Sequence, residues 1–97
     1  MRILSVQDFA AAANQGFALA IGQASLTLSL VQVKPLSHPV PPGHMRQPFA
    51  LLFKSASPVV LPQKLYSLTN ATMGRLDIFL VPIAREPDGV VYQAVFN

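Results

Sequence analysis

Apolar and polar residues alternate with period two along most of the chain, and helical spacing occurs only near its start. There Val6, Phe9, Ala10 and Ala13 share one face at the 3.6-residue period, which predicts a helix over about residues 6–14. Ser5 is placed to cap it, Asp8 sits in its first turn, and Asn14-Gln15-Gly16 supplies a stop. A helix this short needs docking to persist, and Phe9 is its expected anchor.

Every later segment reads as β. Phe17, Leu19 and Ile21 alternate with alanines, and Gly22-Gln23 suits a two-residue hairpin turn with glycine in the positive-φ position. Leu26, Leu28 and Leu30 continue the alternation over 24–33. The phase then shifts, because Val31 and Val33 flank Gln32, which predicts a bulge or a bend between two sheets. Residues 49–54 place Phe49, Leu51 and Phe53 on one face and Ala50 and Leu52 on the other, so both faces read as buried. The loop 55–62 carries Val59-Val60-Leu61, which can cover a barrel end. Short strands follow at 64–68, 76–83 and 90–96, with turns at 69–74 and at Pro87-Asp88-Gly89. In the strand 76–83, Phe79 is expected in the core, and Pro82 predicts an edge or terminating position. No repeat of fixed period is visible. The pattern predicts a mainly β fold: a small antiparallel barrel or sandwich of about six strands with one short N-terminal helix, in a single β-rich domain over 1–97.

Residues 35–48 form a separate text. Five prolines (Pro35, Pro39, Pro41, Pro42 and Pro48) exclude a central strand and predict an extended, partly polyproline-II arm. Its interaction candidates are His38, Pro39, Val40, Pro41, Pro42, His44, Met45 and Arg46. Proline removes freedom from the unbound chain, so such a segment loses little entropy on docking. The competing reading is a long solvent loop without a partner.

Composition sharpens this picture. Of 97 residues only 11% are charged, against about 25% in ordinary soluble domains, while 52% are hydrophobic. That excludes disorder, and the lack of cysteine excludes a disulfide scaffold. So few charges cannot clothe the exterior, so some of it is apolar, and apolar exteriors mark interfaces. Protein partners, with self-association foremost, are expected. The net charge is +3, and no acid lies between Asp8 and Asp77, an interval holding Lys34, Arg46, Lys54, Lys64 and Arg75. An anion or nucleic acid could use that basic middle, although no cluster or RNA-binding signature supports nucleic acid as a partner. The uncharged stretch from Phe9 to Val33 is long enough to span a bilayer, yet Asn14, Gln15, Gln23 and Gln32 interrupt it. No membrane span is expected, and no signal peptide, since no apolar run precedes Asp8. A cytoplasmic protein is expected on these grounds.

The second half carries a recognisable pattern. It comprises Pro48-Phe49-Ala50-Leu51-Leu52-Phe53, Leu61-Pro62-Gln63, Leu65-Tyr66-Ser67-Leu68, Gly74, Phe79-Leu80-Val81-Pro82-Ile83 and Tyr92-Gln93-Ala94-Val95-Phe96-Asn97. The first half contributes Phe9, Gly16, Phe17 and Leu26-Thr27-Leu28. Together these resemble a family of small bacterial proteins, the DUF6916 type. Its members tend to lie beside genes for tail-collar-like proteins of phage or phage-derived particles, so the resemblance implies a component or accessory of such a particle. The matching positions are apolar strand residues and turn residues, which report a shared core rather than a shared chemistry. The resemblance supplies no catalytic or ligand residues, and the proline-rich arm is the part least like the family pattern.

Catalytic and metal signatures are missing. His38 and His44 have no further ligands nearby, so no metal is expected. The acids Asp8, Asp77, Glu86 and Asp88 show no paired spacing, and Asp77 reads as half of a partly buried ion pair with Arg75 or Arg85. No Gly-x-Ser-x-Gly elbow and no glycine-rich phosphate cradle occur, so neither enzymatic activity nor a cofactor is expected. Two further readings stand beside the interaction domain: a small barrel that binds a ligand inside or at its mouth, and a weak anion or nucleic-acid binder.

Overall fold

The computed structural model describes residues 4–36 and 48–96. It contains one helix, α1 (Val6–Ala10), and six strands: β1 (Gly16–Ile21), β2 (Ala24–Pro35), β3 (Phe49–Ser55), β4 (Lys64–Asn70), β5 (Gly74–Glu86) and β6 (Gly89–Phe96). All neighbouring strands are antiparallel, and they close into a barrel in the order β1-β2-β3-β6-β5-β4. Closure decides between the two expected architectures in favour of the barrel.

The helix is shorter than its apolar spacing predicts. Beyond Ala10, the N–H groups of Ala12 and Ala13 donate to the carbonyls of Phe9 and Ala10, tightening the turn. Asn14 then adopts φ 66° and gives its N–H to the Leu30 carbonyl at 2.8 Å. The chain is thereby drawn onto β2. At the other end Asp8 closes the helix, accepting from the backbone N–H and the hydroxyl of Ser5 at 2.8 and 3.1 Å.

The barrel has an internal two-fold pattern that no sequence period discloses. Exchanging β1-β2-β3 for β4-β5-β6 maps the ring order onto itself. Each half is a meander with a long middle strand, of 12 residues in β2 and 13 in β5. Each middle strand carries a bulge against the next strand: Leu30/Gln32 in β2 and Pro82/Ala84 in β5. The first of these is the phase shift expected after Leu30. The second adjoins Pro82, which does not end its strand but does lie on an edge, since β4 pairs with β5 only as far as Leu80. It sits beside an irregular rung opposite Tyr92, where a missing N–H is tolerated, and β5 runs on to Glu86. Closing the ring takes seven β3–β6 pairs on one side but only two on the other, Ala18↔Thr69 and Leu19↔Leu68.

The interior is filled by side chains. Phe17, Leu19, Leu28, Leu30, Leu51, Phe53, Leu68, Leu80 and Tyr92 are completely buried, each contributing about 1.5–3 kcal/mol if it resembles an ordinary core residue. Phe17 meets Phe53 edge-on at 5.2 Å. At one end of the barrel α1 lowers Phe9 onto Phe49 (5.7 Å) and Phe96 (5.4 Å), whose rings stack at 4.8 Å. That contact is what holds a five-residue helix in place.

Candidate functional site

The arm residues nominated from the sequence, His38, Pro39, Val40, Pro41, Pro42, His44, Met45 and Arg46, lie outside the described residues. What the structure places is the root of that segment. The last β2–β3 rung is Pro35↔Phe49, and the Leu36 N–H donates to the Pro48 carbonyl at 2.9 Å just beyond it. The described chain thus stops at Leu36 and resumes at Pro48, side by side at this end of β2 and β3.

The opposite end is closed by the β3–β4 connection. Tyr92, fully buried, accepts the Leu61 N–H at 3.0 Å through its hydroxyl, which donates in turn to the Val59 carbonyl at 3.4 Å. Tyr66 donates its hydroxyl to the Pro62 carbonyl at 2.6 Å, and its burial raises the phenol's pKa above the ordinary value. Two tyrosines thus pin the loop that Val59-Val60-Leu61 was expected to form over the barrel end. Leu61 packs onto the core while Val59 and Val60 stay exposed.

Among the described residues the basic side chains do not converge. Lys54 on β3 donates to Glu86 and Asp88 at 2.9 Å each. These carboxylates raise its pKa, and Lys54 lowers that of Asp88. Arg75 donates to the Ser67 hydroxyl at 2.9 Å across the β4–β5 rungs. Lys34 and Lys64 stand on β2 and β4, with β1 between those strands. Asp77 is exposed on the outer face opposite Ser67, rather than in a partly buried ion pair, because its alternation partners Ile78 and Leu80 take the interior.

The same alternation corrects the place of Phe79. It shares the outward face with Asp77 and is 51% exposed. Directly across β4 from it stands Leu65, 58% exposed. On the other side, Phe79 and Val95 each lie two residues past the Val81↔Gln93 rung, and Val95 is 52% exposed. Leu65 and Phe79 form an exposed apolar pair across β4 and β5, and Val95 faces outward on β6 beyond the last β5–β6 rung. Asp77 was the signal available in the sequence: a charge in strict alternation marks the solvent face, and Phe79 falls on it.

A second apolar feature lies beside β5. Val60, Pro82, Ile83, Ala84, Arg85 and Val90 line an open groove of about 250 Å³. Its floor exists because β5 outruns β4. The last β4–β5 rung is Lys64↔Leu80, so residues 81–86 pair with β6 on one side and with no strand on the other. β2 likewise outruns β1 after Ser29, but there α1 and the Asn14 and Gln15 backbone cover it.

Residues 4–96 match the model of the family described as Domain of unknown function (DUF6916), and the chain belongs to that family. Neither the curated proteins nor the solved structures contain a match to the chain. Among the described residues, no helix is long and apolar enough to cross a membrane.

Proposed function

We propose that this chain is a non-enzymatic structural domain that works by binding protein, in the first place a second copy of itself. The observation that carries the proposal is the outward cross-strand pair of Leu65 and Phe79, with Val95 also exposed on β6. An antiparallel sheet over a filled core normally turns polar residues to water on its outer face. Here three large side chains are each about half exposed, and Phe79 alone leaves roughly 100 Å² of apolar surface, taking half of the ~150–250 Å² of an aromatic side chain, so that with Leu65 and Val95 the total is on the order of 300 Å². A patch of that size is at the level where exposed apolar surface is commonly functional. It is also smaller than the ~800 Å² per partner of a standard interface, so the contact is reversible unless a rim extends it. Assembly within a phage-tail-like particle is the setting we propose for it, on the strength of the resemblance noted from the sequence. The packed interior supports this over an enclosed ligand.

Light scattering coupled to size exclusion tests the reading. The apparent mass should rise above 10.5 kDa with concentration and fall back to it in Phe79→Glu. A wild-type protein that keeps the monomer mass at every concentration refutes it.

A further inference from the structure

We infer that the groove beside β5 receives an extended acidic peptide segment of a partner, which adds to the barrel as a strand along residues 81–86. This rests on the reading of the chain as a protein-binding domain and names a surface distinct from the pair of Leu65 and Phe79.

Three observations converge on it. First, β5 runs six residues past its final rung with β4, so the main-chain groups on that side have no strand partner. Unpaired strand edges recruit extended chains, with main-chain hydrogen bonds supplying affinity and side-chain pockets supplying selectivity. The equivalent stretch of β2 is bonded at Leu30 to Asn14 and Gln15 and packed by α1, whereas among the described residues the 81–86 stretch has only the Val60 loop across from it. Second, the groove is walled on its far side by Val60, in a loop pinned by Tyr92 and Tyr66. A volume of about 250 Å³ between such walls is below the ~300 Å³ at which pockets for drug-sized ligands begin. It suits one apolar side chain of a segment lying alongside.

Third, the groove's one charged wall is Arg85. Its neighbour Glu86 is held by Lys54 at 2.9 Å, and among the described residues no carboxylate pairs with Arg85. A guanidinium beside an apolar slot selects a segment carrying an acidic residue next to an apolar one, by charge complementarity and a bidentate fit to carboxylate. The bulge at Ile83 and the absence of an N–H on Pro82 interrupt the edge, so the incoming strand is short and its register is set at residues 83–86.

The probe is a displayed library of random dodecapeptides, panned on the full chain with counter-selection on Ile83→Lys. Both Ile83 and Arg85 are exposed, so their variants keep the fold. Enriched peptides should pair an apolar residue with Glu or Asp. Bound to labelled protein, they should shift the amide resonances of Val60 and of 83–86. Arg85→Glu should weaken them at least about fivefold, and N-methylation of alternate peptide bonds should abolish binding. No enrichment over the Ile83→Lys control overturns the inference, as do amide shifts confined to other strands or indifference to N-methylation. The light-scattering result is independent of these outcomes, so loss of the groove would leave the self-association reading standing.

Discussion

Phe53→Ala and Phe79→Ala make a matched pair that separates the inside of this barrel from its outside. Phe53 is fully buried, meets Phe17 edge-on at 5.2 Å, and faces Tyr92 across the β3–β6 rungs. Truncating it removes a whole ring from a filled interior, and the surrounding strands are tied into a closed ring that cannot easily collapse. The expected loss is about 3–5 kcal/mol, of which the aromatic contact supplies about 0.5–1.5. Phe79, at 51% exposure, loses about half of the ~1.5–3 kcal/mol assigned to full burial and leaves no cavity, so about 1 kcal/mol is expected. Urea unfolding followed by fluorescence or circular dichroism gives both values by linear extrapolation, and the slope should stay unchanged. For a domain of this size the difference between the two variants is on the order of 10 °C or more in Tm. The measurement belongs at several protein concentrations. Self-association through Phe79 would stabilise the wild type more as concentration rises, and that increment should vanish in the variant. Equal losses for the two substitutions would refute the assignment of Phe79 to the outer face.

Three other outcomes can be checked. Gly89 has φ 151°, and a Cβ there would lie 1.8 Å from the Ser55 carbonyl oxygen, so Gly89→Ala should cost at least about 2 kcal/mol by the same unfolding assay. Tyr92→Phe deletes the acceptor of the Leu61 N–H, which should cost about 1–3 kcal/mol and speed hydrogen exchange at Leu61 while leaving the centre of β6 protected. Because burial raises the pKa of Tyr66 in the folded chain, its contribution is fully present below the unfolded value near pH 10 and is lost as pH rises through the folded one. Urea midpoints between pH 9 and 11.5 should therefore fall less steeply in Tyr66→Phe than in the wild type.

The strands and the bulge were legible because period-two alternation and its interruption after Leu30 are local properties of the chain. Phe9 likewise advertised itself as the anchor of an otherwise weak helix. Ring closure was not legible. It depends on β1 meeting β4 and β3 meeting β6, pairings from 35 (Ser55↔Val90) to 51 (Ala18↔Thr69) residues apart that no local pattern encodes. The two-fold relation escaped for a related reason: it conserves strand order and bulge position while the residues at matching places differ, Gln32 in one half and Ala84 in the other. Phe79's bulk points to the core while its phase, marked by Asp77 two residues earlier, points to the outer face, and phase decides. The groove beside β5 arises from strand lengths that differ between neighbours, which the turn signals locate only to within a few residues. The proline-rich segment nominated as an arm lies outside the described residues, which end at Leu36 before it and resume at Pro48.

The two-rung junction between β1 and β4 is the clasp of this molecule. Near it the buried Asn70 amide donates to the Gly16 carbonyl at 2.9 Å and to Gln15 at 3.1 Å, and its own carbonyl accepts two turn N–H groups. Released, that clasp would turn a ring without ends into a curved ribbon bearing two naked borders, each with an oily inner side. A chain with so little charge to repel its neighbours would then be prone to precipitate, so its shelf life in solution should follow the strength of Asn70's grip more closely than the stability of the core.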